Sequence, residues 1–107
     1  MSKHFNLSTS AIISSLFIAI SGSVMADGAA VYKAKTCASC HGATGAEPIM
    51  GAYPKIAGQN AEYLVQQLKD FKSGARNNAQ SAVMKGMVAS VSEDEMKEIA
   101  DYLSSVK

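Results

Sequence analysis

Leu64, Leu68 and Phe71 recur at i, i+4 and i+7, the interval that stacks side chains on one helical face, and predict a helix over 60–73. Asn60 suits its N-cap, Glu62 its first turn and Gly74 its stop. A second stripe, Met96, Ile99, Ala100 and Leu103 with Tyr102 at its edge, predicts a closing helix that starts at Ser92. Ser92 and Glu95 form a capping-box pair, and Glu93 and Asp94 add charge that favours a helix N-terminus. Near the other end, 28–37 reads as a short helix headed by Asp27. Val31 and Tyr32 give it an apolar side, while Ala29, Ala30 and Ala34 permit close approach of another helix. Between these elements, 42–59 carries Gly42, Gly45, Gly51, Gly58, Pro48 and Pro54 and reads as a long loop, a kind that is usually functional. The polar run 74–81 reads as a turn or short helix, and 82–91 as irregular backbone. No segment alternates with period 2, so the expected fold class is all-α.

The first 26 residues follow a different pattern. A weakly basic start (Lys3, His4), an apolar core over 11–20 and small residues before Ala26 are the marks of a secretory signal peptide cleaved after Ala26. Serines and Gly22 interrupt the apolar run, which falls short of the ~20 residues a membrane span needs. A stable membrane anchor is therefore not expected. The remaining residues, 27–107, make one domain, near the size at which a chain alone struggles to bury enough apolar surface. Of ten Lys and Arg in the chain, only Lys3 leaves with the signal, so nine basic residues face nine acidic ones. That balance excludes the basic stripe nucleic-acid binding requires.

The candidate chemistry lies in Cys37-Ala38-Ser39-Cys40-His41. C-x-x-C-H is the attachment pattern of a c-type haem. Two thiols about one helical turn apart can reach the two vinyl groups of one porphyrin, and the histidine offers an axial nitrogen to the iron. A thiol–disulfide active site would need a βαβ setting that this sequence lacks. A structural zinc site would need four ligands, and only His4, in the signal segment, adds to these three. A disulfide between cysteines so closely spaced on a helical turn is geometrically unfavourable. The reading is one covalently bound haem c per chain, held by Cys37, Cys40 and His41, which also staples a small core.

The iron's second axial ligand decides between electron transfer and an open, reactive site. No second histidine follows residue 26, which leaves Met50, Met84, Met87 and Met96. Met96 belongs to the last helix's apolar stripe, and Met50 follows His41 too closely to cross to the opposite haem face. Spacing alone leaves Met84 and Met87 equal.

The stretches CASCHG (37–42), Tyr53-Pro54-Lys55-Ile56-Ala57-Gly58-Gln59, Tyr63-Leu64, Gln67-Leu68, Phe71 with Gly74 and Arg76, and Met84-Lys85-Gly86-Met87 before Val91-Ser92-Glu93-Asp94-Glu95 resemble the class I c-type cytochromes. The likeness is to the small bacterial periplasmic mono-haem type and to one half of the di-haem bacterial cytochromes c. It implies three to four helices wrapped around one haem. It also implies Met84 as the iron's second ligand, seven residues before Val91, and a haem-pocket packing role for Met87. A Pro54 carbonyl is expected to accept a hydrogen bond from His41, and the first and last helices to cross near their small residues. Export fits as well, since c-type haem is attached outside the cytoplasm.

The expected function is that of a periplasmic one-electron shuttle, monomeric and not an enzyme. His41 and Met84 would ligate the iron, and Val31, Leu64, Leu68, Met87, Val88, Ile99 and Leu103 would form the apolar shell. Transient redox partners would dock at a haem edge exposed near Ala38, Ser39 and 84–89, with weak dependence on salt given the neutral balance. The alternative is a cytochrome c subunit of a periplasmic oxidoreductase complex, because one fold serves both uses.

Overall fold

The structure, a computed structural model, describes residues 27–107; the expected signal peptide, 1–26, lies outside them. Five helical segments follow in order: α1 Gly28–Ala34, α2 Ala38–His41, α3 Ala61–Ser73, α4 Ser81–Val88 and α5 Glu93–Ser105. No strand occurs among the described residues. Four helices of seven residues or more, plus the single turn α2, surround a central cavity, in keeping with the all-α reading.

α5 is the spine: α1 and α3 both pack on it, and α4 packs on α3. Its stripe of Met96, Ile99, Ala100 and Leu103 is buried and meets Tyr32, Leu64, Phe71, Val88 and Val91 in one core. The α1–α5 crossing rests on a small residue, as expected. A Cβ built on Gly28 would collide with the Glu98 carbonyl oxygen and lie 2.7 Å from Tyr102 Cβ, so only glycine lets the two backbones approach this closely. Beside it the Tyr32 and Tyr102 rings pack 5.6 Å apart at a tilted 52°.

The helix ends obey local chemistry. Asn60 Oδ1 accepts the Tyr63 N–H at 3.2 Å, and Gly74 ends α3 in the left-handed region at φ 86. At α5, Ser92 Oγ accepts the Glu95 N–H at 3.1 Å while Glu95 Oε1 accepts the Ser92 N–H at 3.0 Å, completing the capping box.

Two segments depart from expectation. The first helix stops at Ala34 instead of running to residue 37, because Thr36 adopts a left-handed φ of 64. The chain then turns and restarts as α2, with the Cys37 N–H bonded to the Tyr32 carbonyl at 3.1 Å. The cysteine–histidine run therefore occupies its own turn. The second departure is α4, where irregular backbone was expected over 82–91. Ser81, Met84 and Val88, at i, i+3 and i+7, turn one side inward, and Ser81 and Val88 are buried. Eight residues with Gly86 inside and no capping side chain give too weak a sequence signal.

The long loop between α2 and α3 has no helix of its own, yet it is tied down. Ile56 and Ala57 N–H groups share the Gly45 carbonyl at 2.9 and 3.1 Å, and the Gly58 N–H reaches Leu103 O at 2.8 Å.

The Ser92 backbone N–H on the Glu95 carboxylate, with Lys35 3.4 Å away, holds Glu95 below the usual carboxylate range. A carboxyl whose folded pKa is depressed stabilises the fold above its unfolded pKa and loses that contribution as pH falls through the folded value. Ser92→Ala is expected to cost about 1 kcal/mol in denaturant unfolding of the haem-loaded protein at neutral pH. Glu95→Gln is expected to flatten the loss of stability in the acid limb of the same titration.

Candidate haem-binding site

All five helices and the long loop contribute to a cavity of about 580 Å³, within the roughly 300–1,000 Å³ of cofactor sites. The α2 turn contributes Cys37, Cys40 and His41; the loop gives Tyr53, Pro54 and Ile56; α3 and α4 supply most of the opposite wall. The lining is largely apolar, as a flat hydrophobic macrocycle needs.

His41 is 6% exposed, and its Nδ1 lies 2.9 Å from the Pro54 carbonyl oxygen. A carbonyl only accepts, so Nδ1 carries the proton and donates, which leaves the Nε2 lone pair as the ligating one. Gly42, next in sequence, has φ 89, and a Cβ there would strike the Glu47 backbone. The loop can fold back over His41 only with glycine at that point. Tyr32 supports the same turn from below: its hydroxyl donates to the Gly42 carbonyl at 2.6 Å. Burial, followed by the nearby Cys37 and Tyr102, pushes the Tyr32 phenol up to about 12.

Cys37 and Cys40 are free thiols, both half-buried on the cavity wall. Burial pushes the Cys37 thiol up, opposed by a backbone hydrogen bond. Thiol–disulfide catalysis calls for the reverse, a thiol depressed toward the thiolate. Among the described residues no three His, Cys, Asp or Glu side chains group as a metal-ion site.

The four methionines separate cleanly. Met96, 1% exposed, sits in the core and off the cavity wall, while Met50, 52% exposed, stands on the loop and also off the wall. Met84 and Met87 both line the cavity. Met84 is half-buried and packed against the core, whereas Met87 lies nearer solvent at 37% exposed.

Of the expected shell, Leu64, Leu68, Met87, Val88 and Ile99 line the cavity. Val31 and Leu103 do not. Val31 packs instead against the core, and Leu103 Cδ2 would meet a Cβ on Gly45 at 2.7 Å, so this end of α5 covers the loop. Lining residues not among the expected shell include Tyr32, Tyr53, Ile56, Phe71 and Arg76. A shift of one residue along the short α1 exchanges Val31 for Tyr32. Phe71 shares the α3 stripe with Leu64 and Leu68 and stands, like Tyr53 and Arg76, within the stretches that carry the family likeness, but no periodicity marks Tyr53 or Arg76.

The fold and the site define a small helical protein that holds a covalently attached haem. The sequence profile of the cytochrome c family matches residues 25–107. Cytochrome c-553 of Nitratidesulfovibrio vulgaris (strain Miyazaki F) is 39% identical over 95 residues, 89% of this chain and 91% of that protein. A protein named thiosulfate dehydrogenase electron acceptor, from Thiomonas intermedia, is 42% identical over 79 residues, covering 74% of this chain but 35% of that protein. The crystal structure of reduced recombinant cytochrome c4 from Pseudomonas stutzeri superposes with a TM-score of 0.66 at 26% identity, over 76% of this chain and 47% of that one. The chain thus spans nearly all of the c-553 protein and less than half of the two longer relatives. It belongs to the cytochrome c family, whose members carry haem c and transfer electrons.

Tyr32→Phe leaves the Gly42 carbonyl without its buried donor. The expected result is a loss of about 1–3 kcal/mol in denaturant unfolding of the haem-loaded protein, with haem attachment, read as covalent haem stain after denaturing electrophoresis, retained.

Proposed function

We propose that residues 27–107 form a periplasmic mono-haem electron carrier with Cys37 and Cys40 as the thioether anchors and His41 and Met84 as axial ligands. The observation that carries this reading is that all four line one apolar cavity. Met84 is preferred to Met87 because it is the more buried of the two α4 sulfurs and packs against the core. When bound, the haem supplies an iron that alternates between ferric and ferrous states.

The chain's own residues do the rest. Cys37 and Cys40 hold the porphyrin against loss outside the cell. The Pro54 carbonyl orients the His41 ring and raises its basicity as a ligand. Met84 would offer the iron a thioether, a ligand that raises the reduction potential and leaves no open position for oxygen or peroxide. Leu64, Leu68, Val88 and Ile99 keep water from the ring. At the cavity wall Val83, 58% exposed, and Met87 offer a small apolar surface beside exposed Gly86 and Ala89. A partner would dock there briefly, as redox encounters do.

The alternative, a subunit or dedicated acceptor of an oxidoreductase, draws support from the relative named thiosulfate dehydrogenase electron acceptor. Size-exclusion of the native protein from periplasm separates the two. A small red monomer supports the free shuttle, and elution with a large catalytic partner supports the subunit.

Met84→Ala is expected to abolish the weak far-red sulfur-to-iron band of the ferric protein and to lower its potential. An unchanged band would move the ligand to Met87. Cys37→Ser combined with Cys40→Ser is expected to give a colourless chain with no cooperative thermal transition, since the cofactor fills the centre of the core.

A further inference from the structure

Met84 stands on a lightly held helix. α4 packs on α3, no side chain caps its start, and Ala82, Val83, Lys85, Gly86 and Met87 are exposed. Just before it Ala79 takes a left-handed φ of 48, a conformation that costs a non-glycine residue energy. The ties at that end are local: the Ser81 N–H donates to the Asn78 carbonyl at 3.0 Å, and Ser81 Oγ to Asn78 Oδ1 at 3.3 Å. Elements with few buried contacts are the first to open.

The other end is held differently. Lys72 Nζ, from α3, donates to the Val91 carbonyl at 2.6 Å, and Lys35 Nζ, at the end of α1, donates to the Ser90 carbonyl at 3.1 Å. Successive peptide groups of the segment 89–92 are thus caught from two helices, across 19 and 55 positions of chain. Lys35 divides its charge with Glu95 at 3.4 Å, whereas Lys72 pairs with no carboxylate among the described residues. The Lys72 ammonium serves one carbonyl, and a charged donor makes a stronger bond than a neutral one. Val91 buries its side chain in the core, which sets the depth of the segment. The lysines set the direction in which its backbone leaves α4. Neither lysine lines the cavity, so any influence on the site passes through α4.

We propose that Lys72, with Lys35 as its weaker companion, is a positioning residue for the iron's second ligand: pinning the Val91 carbonyl fixes the exit of α4 and keeps the Met84 sulfur in place. The inference rests on the axial pair proposed above. Without the pin, α4 swings from the core about its two ends more often, while the rest of the fold stays closed.

The test uses ferric, haem-loaded wild type, Lys72→Leu, Lys72→Arg and Asn60→Ala. Added imidazole competes for the iron, and its limiting rate at saturation, read as loss of the far-red sulfur-to-iron band, reports how often Met84 leaves. Denaturant unfolding of each protein reports global stability. Lys72→Leu is expected to raise the limiting rate about tenfold, the scale of one lost hydrogen bond to a charged group. Lys72→Arg, which keeps a charged donor, is expected to stay close to wild type. Asn60→Ala removes the cap of α3 and lowers global stability without touching the exit of α4, so its rate is expected to move little. An unchanged rate in Lys72→Leu overturns the proposal, as does an equal rise in Lys72→Leu and Lys72→Arg. A rise in Asn60→Ala that matches Lys72→Leu for the same loss of stability also overturns it, since opening would then follow the whole fold. Should Lys72→Leu fail to mature, Lys72→Gln removes the charge and shortens the reach, and an unchanged rate in that variant overturns the proposal. A ferric wild type with no far-red band would instead defeat the methionine-ligand reading before any variant is compared, so the two failures are told apart.

Discussion

Between His41 Nδ1 and the Pro54 carbonyl runs a hydrogen bond of 2.9 Å that joins two pieces of chain by a side chain. One is a single helical turn; the other is a long loop with no repeating structure. The bond selects the tautomer of the imidazole and holds its ring in one orientation, and it draws the loop across the mouth of the cavity. Gly42, with its left-handed φ, lets the chain reverse so that the bond can form, and Tyr32 braces that reversal from the core. Without this support the imidazole would be free to rotate, and the loop would lose one of the bonds that tie it down.

Fold and site are not separable here. Tyr32, Leu64, Phe71, Val88 and Ile99 belong both to the hydrophobic core and to the cavity wall. Those side chains pack together on one side and line a cavity of about 580 Å³ on the other. The cofactor therefore completes the core as well as performing the chemistry, which agrees with the general need of small domains for a covalent or metal staple. The breaks in the backbone serve the same end. Thr36 ends α1 in a left-handed conformation so that the cysteines and the histidine gain a turn of their own on the cavity wall.

Similarity to cytochrome c-553 over nearly the full length of both proteins, and to less than half of the longer relatives, matches a unit that stands alone in some proteins and is built into larger ones elsewhere. Cys37, Cys40, His41, Met84 and Met87 all line one cavity formed within residues 27–107.

Much of this was legible before any coordinates. The α3 and α5 stripes, their caps at Asn60 and Ser92, the stop at Gly74 and the Cys37–Cys40–His41 turn all depend on neighbours within a few positions, and local spacing encodes them directly. Met84 could be favoured over Met87 in the sequence only through family likeness, because both lie on one short helix whose own signal is weak. What tertiary structure alone decided was which sides face inward. It exchanged Val31 for Tyr32 on the cavity wall, turned Leu103 toward the loop, made α4 helical, and set Arg76 on Phe71 beside Gln67. Each of those outcomes depends on contacts between residues distant in the chain, for which one-dimensional periodicity has no term.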